Sequence, residues 1–256
     1  MSPADAPDEK LAESSLLSHL LELRDRIMRS LIATAVIAAP CLWYQREIYT
    51  WLSEPLRAQL PEGAKLIATS VIAPFMAPFK LALFAAFFFA MPVILYQVWA
   101  FVAPGLYRHE RRFALPLFVS SIILFYAGAT FAYFVVFPVI FAFFVGVAPV
   151  GTELLPDITQ YMDFAVLLFF AFGLAFEIPV ATVLLVRTGL VRLETLTKNR
   201  GYVILAIFII AAFLTPPDAV SQTLMAVPMY LLYELGVLLS RLLIRDRPAQ
   251  EDAKSA

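Results

Sequence analysis

A chain of 256 residues that is 61% hydrophobic and 15% charged, with a mean hydropathy of +0.81, carries more apolar surface than a water-soluble domain of that length can bury. A lipid bilayer is its natural solvent. The net charge of −1 argues against a nucleic-acid binder, and one cysteine, Cys41, with two histidines supports neither an internal disulfide nor a structural zinc site.

Taken in chain order, Met1 to Ser15 holds Asp5, Asp8, Glu9, Lys10 and Glu13 but no apolar stretch, so no cleavable signal peptide is expected there. The first membrane segment is then its own insertion signal. Leu16, Leu20, Leu23 and Ile27 are spaced four, three and four, one face of an amphipathic helix, with Glu22, Arg24, Asp25 and Arg26 on or beside the other. The spacing predicts an interfacial helix leading into the bilayer. Apolar stretches at about 28–45, 76–103, 113–145, 160–186, 202–215 and 219–239 predict six transmembrane helices in one polytopic membrane domain over 1–256. Residues 1–14 and 246–256 are expected to be flexible tails. Residues 46–75, with Pro55, Pro61, Gly63 and Pro74, are expected to form an extracytoplasmic cap, anchored by Trp43, Tyr44, Tyr49 and Trp51.

The fifth stretch is short: Tyr202 to Leu214 is 13 residues, about 20 Å as a helix against a hydrocarbon core of about 30 Å. Either its ends lie further out or the bilayer thins around it. Arginine and lysine set the orientation. Lys10, Arg24, Arg26 and Arg29, then Arg108, Arg111 and Arg112, then Arg187, Arg192, Lys198 and Arg200, then Arg241, Arg245, Arg247 and Lys254 fall on one side. The other side has Arg46, Arg57 and Lys65, with Lys80 at a helix end, so both termini are expected in the cytoplasm. Pro40, Pro92, Pro116, Pro138, Pro179 and Pro228 lie inside the spans and predict kinks. No two glycines stand four apart, and no internal repeat is visible.

Glu177 lies ten residues before Arg187, about 15 Å into the membrane, where a carboxylate is costly and should face protein. It reads either as a polar docking point or proton-sensitive switch, or as a structural hydrogen bond beside Pro179. Asp218 is placed to N-cap the last span, with Ser221 supporting the turn. Gln222 reaches into the membrane toward a polar partner, Glu177 among the candidates. Glu234 reads as a snorkelling or locally paired carboxylate, and Lys80 as a snorkelling lysine. Glu22 and Glu110 stand among arginines, where a pair of carboxylates can receive guanidinium groups. The local alternative pairs Glu22 with Arg26, and Glu110 with Arg111 or Arg112, and physical chemistry alone favours it. There is no Walker A loop, no nucleophile elbow and no intramembrane nucleophile–base pair, so no enzyme is expected, and no metal or cofactor.

Four blocks carry a resemblance: Ser18-His19-Leu20-Leu21-Glu22-Leu23-Arg24-Asp25-Arg26; Tyr96 through Arg112; Phe176-Glu177-Ile178-Pro179-Val180; and Thr215-Pro216-Pro217-Asp218 with Ser221-Gln222. In order and spacing the chain resembles the TatC family, over roughly residues 15–245. The resemblance implies an all-α membrane protein, a bent, glove-like bundle of six helices with both ends inside. It implies the receptor of the twin-arginine translocase in the bacterial cytoplasmic (inner) membrane, reading paired arginines of signal peptides. Folded cargo would be exported on the proton-motive force, in a complex with single-span TatA- and TatB-like partners and further copies of itself. On that analogy Glu22 and Glu110 bind the arginines, Glu177 and Phe101 belong to the signal-peptide pocket, Gln222 lies where partners dock, and Pro55 supports activity. The competing reading is a proton-coupled small-solute transporter built around Glu177; it would favour several midplane charges and broken helices, often in repeats, whereas this chain offers one clear midplane charge and no repeat.

Overall fold

The structure, a computed structural model, describes residues 6–58, 66–102, 111–147, 149, 155–215 and 219–244. These are nearly all helical: α1 (Ala6–Trp43), α2 (Gln45–Arg57), α3 (Ala73–Val102), α4 (Arg111–Phe131), a π-helical turn (Ala132–Val136), α5 (Phe137–Val147), α6 (Ile158–Ala175), α7 (Ile178–Arg187), α8 (Leu193–Lys198), α9 (Arg200–Leu214) and α10 (Ala219–Ile244). Helices dominate because a bilayer offers no water to satisfy backbone groups. Among the described residues, five segments are long and apolar enough to cross: Leu20–Trp43, Ala73–Phe101, Leu115–Val147, Ile158–Arg187 and Ala219–Leu243. The remaining apolar stretch forms α9, whose 15 residues reach only about 22 Å.

Three spans depart from the simplest sequence reading. The expected interfacial helix and the first span are one continuous helix, α1, because neither Gly nor Pro falls between Pro7 and Pro40. Inside it the Ser30 and Thr34 hydroxyls donate back to the carbonyls of Arg26 and Ser30, which hides them from lipid. In the third span Pro138 does not simply kink a helix. The π-helical turn Ala132–Val136 immediately precedes it and widens the backbone where the proline ring would meet the carbonyl four residues back. The fourth span is broken rather than bent. Phe176 and Glu177 separate α6 from α7, and Pro179, with no N–H to give to Ala175, falls in the first turn of α7.

The described residues divide into two compact units, one within Met1–Tyr49 and Pro78–Phe118, the other within Thr50–Ala77 and Val119–Ala256. In the first, Cys41 packs with Ala82, Ala85 and Ala86 of α3, and Ile37, Ala38, Leu42 and Ile48 surround them. Alanines there let the two helix backbones approach. The second unit is centred on Phe125, Phe137, Phe172, Leu168, Met162 and Met225, all fully buried. Single glycines set its helix contacts. A Cβ on Gly128 would lie 2.4 Å from the Phe172 carbonyl oxygen, and one on Gly236 would lie 2.9 Å from Pro179 Cα. Thus α4 touches α6, and α10 touches α7, nearly backbone to backbone, without a paired-glycine motif.

The second unit also ties its connecting segments to its spans. Trp51 stacks on Tyr133 at 4.4 Å, and the Tyr133 hydroxyl donates to the Trp51 carbonyl at 2.9 Å. Tyr161 donates to the Leu52 carbonyl at 2.8 Å. Asp157 N-caps α6 by accepting from the Thr159 and Gln160 amides, while its other oxygen accepts from the Thr69 hydroxyl at 2.7 Å and the Thr69 amide at 3.0 Å. The Thr69 hydroxyl, followed by these backbone amides, holds the Asp157 carboxyl down at about 2. A lowered folded-state pKa means stability that is complete above the unfolded value and is lost as pH falls through the folded one. The melting-temperature gap between the parent and Asp157→Asn in non-ionic detergent should therefore hold constant from about pH 8 to about pH 4, and close toward about pH 2. A gap that persists undiminished at the lowest pH would show that the carboxylate is not what the cap uses.

Candidate functional site

Glu177 occupies the junction between α6 and α7, inside the span Ile158–Arg187. Its place follows from the helix contacts around it. Ser121, Phe125 and Gly128 recur on one face of α4 at helical spacing, and that face meets α6: Gly128 against Phe172, and Phe125 against Gly173, where a Cβ would lie 2.6 Å from the ring. Continuing this antiparallel run brings the Ser121 hydroxyl to Glu177, to which it donates a hydrogen bond. Ser121 is fully buried. The second carboxylate oxygen, Oε1, is buried and has no hydrogen-bond partner among the described residues. A half-partnered carboxylate in a membrane span can accept one more donor. The expectation that Gln222 supplies it is not met. Gln222, in the first turn of α10, is partly buried and makes no hydrogen bond among the described residues.

Glu22 is partly exposed on α1. Arg26 pairs with it one turn on, and both guanidinium donors go to the same oxygen, Oε1, with Nε at 3.0 Å. The local pairing is thus realised, and it leaves Oε2 without a hydrogen bond among the described residues. Arg24 pairs with Asp25 at 2.8 Å. Phe101, partly buried near the end of α3, belongs to the first unit, whereas Glu177 and Gln222 belong to the second. Glu110 and Asp218 lie outside the described residues; Pro55 falls within α2, but its side chain lies outside them too.

One polar cluster was not foreseen in full. Glu234 of α10, expected to snorkel or pair locally, accepts from Arg200 Nη2 at 2.9 Å and from the Tyr230 hydroxyl at 2.8 Å. Tyr233 donates to the Leu196 carbonyl at 2.9 Å. Together they fasten the start of the short α9, and α8 before it, to α10. The only advance signal was the excess of arginine on that side. Among the described residues no group of His, Cys, Asp and Glu is arranged to hold a metal.

The family model for "Sec-independent protein translocase protein (TatC)" matches residues 18–228. This chain belongs to the TatC family. The TatC protein of Azotobacter chroococcum mcd 1 is 54% identical to it over 241 residues, 94% of each chain. The TatC protein of Escherichia coli strain K12 is 50% identical over 226 residues, 88% of each. The fold is similar to a crystal structure of a twin arginine translocase receptor, TatC, with a TM-score of 0.79 and 38% identity, covering 88% of this chain and 98% of that one. Membership in the TatC family makes the chain a membrane-embedded component of a protein translocase and not an enzyme, and it sets aside the small-solute transporter reading.

Proposed function

We propose that this chain is the signal-peptide receptor of a twin-arginine translocase in the bacterial cytoplasmic membrane. It crosses the membrane six times, with α9 as a short span, and keeps both termini in the cytoplasm. Glu22 and Glu110 receive the paired arginines of a signal peptide. Glu177 and Phe101 meet the apolar part of that peptide, and Gln222 lies where single-span TatA- and TatB-like partners dock. Pro55 and Asp218 have a structural or activity-supporting role. Several copies assemble, and the proton-motive force drives export of folded cargo without a bound cofactor.

The observation that carries this reading is the state of Glu22. Its carboxylate is partly exposed, and a single arginine occupies a single oxygen. An incoming guanidinium can take the other oxygen or displace Arg26, forming charge-assisted bonds of the same kind. Lysine, a compact ammonium, cannot reproduce the fork.

Photo-crosslinking tests it. A photoreactive residue placed in turn at Leu21, Glu22, Leu23 and Glu110, in membranes, should crosslink a labelled twin-arginine precursor, and the crosslinks should vanish with the twin-lysine version. Correctly inserted protein that gives no crosslink from any of these positions overturns the receptor reading.

A further inference from the structure

The segment after α7 has no part in the reading above, yet it forms a defined cavity. At the C-terminus of α7 the Thr188 amide bonds to the Leu184 carbonyl at 2.9 Å. Gly189 then takes φ +73°, a conformation that suits glycine, and reverses the chain. The Val191 amide returns to the Leu185 carbonyl at 3.1 Å, and Arg192 follows in extended conformation before α8. A half-open cavity of about 440 Å³ lies at this turn, lined by the charged Arg187, Arg192 and Glu194 and, among its apolar walls, by Val186, Leu193 and Leu243.

Its depth is fixed by two helices. Arg187 ends the span Ile158–Arg187, and Leu243 ends the span Ala219–Leu243, so the cavity lies where both spans leave the hydrocarbon. That is the level of lipid headgroups. Leu190 and Leu242, each next in sequence to a lining residue, are 76% and 57% exposed and offer apolar surface near the cavity. Two guanidiniums and one carboxylate are among the groups that line it. The matching ligand has one negative charge, several oxygens spaced for planar forks, and an apolar tail. We infer that this cavity binds an anionic phospholipid, with Arg187 and Arg192 on its phosphodiester and the first part of an acyl chain along Leu243, Leu242 and Leu190. Arginine suits the role because its fork matches phosphate oxygens and its charge persists at any working pH. Basic pockets between spans at the membrane surface hold such headgroups by the same physics. The inference does not depend on the receptor reading.

The test uses the purified full-length protein in a neutral detergent, titrated with phosphatidylglycerol and followed by native mass spectrometry, with phosphatidylcholine and inorganic phosphate as separate arms. Phosphatidylglycerol should bind more tightly than phosphatidylcholine, and inorganic phosphate should not compete. The double variant Arg187→Gln, Arg192→Gln should bind phosphatidylglycerol about thirty-fold more weakly, each arginine being worth roughly a factor of five at an anionic headgroup. Glu194→Gln, at the same cavity, should bind it more tightly, a change of sign that a folding defect cannot mimic. The site is overturned if the double variant changes affinity less than about twofold, or if Glu194→Gln weakens binding as the double variant does. Competition by inorganic phosphate at equal concentration would overturn it as well, since the cavity would then hold an ion rather than a lipid.

Discussion

Gly128→Ala should lower the stability of the protein by about 1–3 kcal/mol, the usual range for overpacking a filled interior. The added Cβ would stand 2.4 Å from the carbonyl oxygen of Phe172 and 3.0 Å from Phe176 Cβ. A flexible side chain could swing aside from such a contact, but a helix carbonyl cannot, so α4 and α6 must separate. Against this stands the better helix propensity of alanine, worth up to about 1 kcal/mol. Gly146→Ala is the matched control, because a Cβ there meets nothing within 4 Å, and it should leave stability unchanged or slightly raised. Thermal unfolding of the three proteins in one detergent checks this. The same separation should draw Ser121 away from Glu177, so the glycine variant should also alter whatever depends on that carboxylate. Equal melting temperatures for Gly128→Ala and Gly146→Ala would mean that α4 and α6 are not in backbone contact.

What could be read from the chain, and what could not, divides by range. Apolar length placed the five segments that, among the described residues, are long and apolar enough to cross a bilayer, and it exposed α9 as short, because the bilayer sets a minimum length and composition records it. Pro179 marked a disturbance beside Glu177, since a missing N–H is a local property. The partner of Glu177 was not legible. Ser121 is an ordinary serine in an apolar run, and only the packing of Gly128 on Phe172 brings it there. The absence of a glycine pair four apart hid this contact, because one glycine suffices where a single carbonyl must be accommodated. Arg200 and Glu234 are 34 residues apart, and Thr69 and Asp157 are 88 apart, so no helical spacing rule joins them. The start of the first span was hidden for a different reason. Glu22 to Arg26 look like a boundary in hydropathy, yet charge does not stop a helix, and between Pro7 and Pro40 the chain has neither Gly nor Pro.

A twin-arginine peptide should bind about tenfold more weakly to Glu22→Gln and to Glu110→Gln, and about a hundredfold more weakly to the double variant if the two act independently. A hydrogen bond to a charged group contributes about 1.5–3 kcal/mol, and glutamine keeps the shape while losing the charge. Arg26 supplies the discriminating case. It occupies Oε1 of Glu22 in the free protein, so it competes with the peptide for that carboxylate. Arg26→Gln should therefore bind the twin-arginine peptide about twofold more tightly, where a role confined to helix stability would predict weaker binding or none. The pairing is spaced four residues apart on a partly exposed helix face, worth only about 0.3–0.5 kcal/mol to the helix, so its removal should leave α1 folded. Fluorescence titration with twin-arginine and twin-lysine peptides separates the contributions. In the parent the twin-lysine peptide should bind more weakly, because it keeps the charge and loses the fork. In the double glutamine variant that preference should disappear. If the glutamine variants lose affinity for both peptides in equal proportion, Glu22 and Glu110 attract charge without reading arginine, and the recognition must lie elsewhere on the chain.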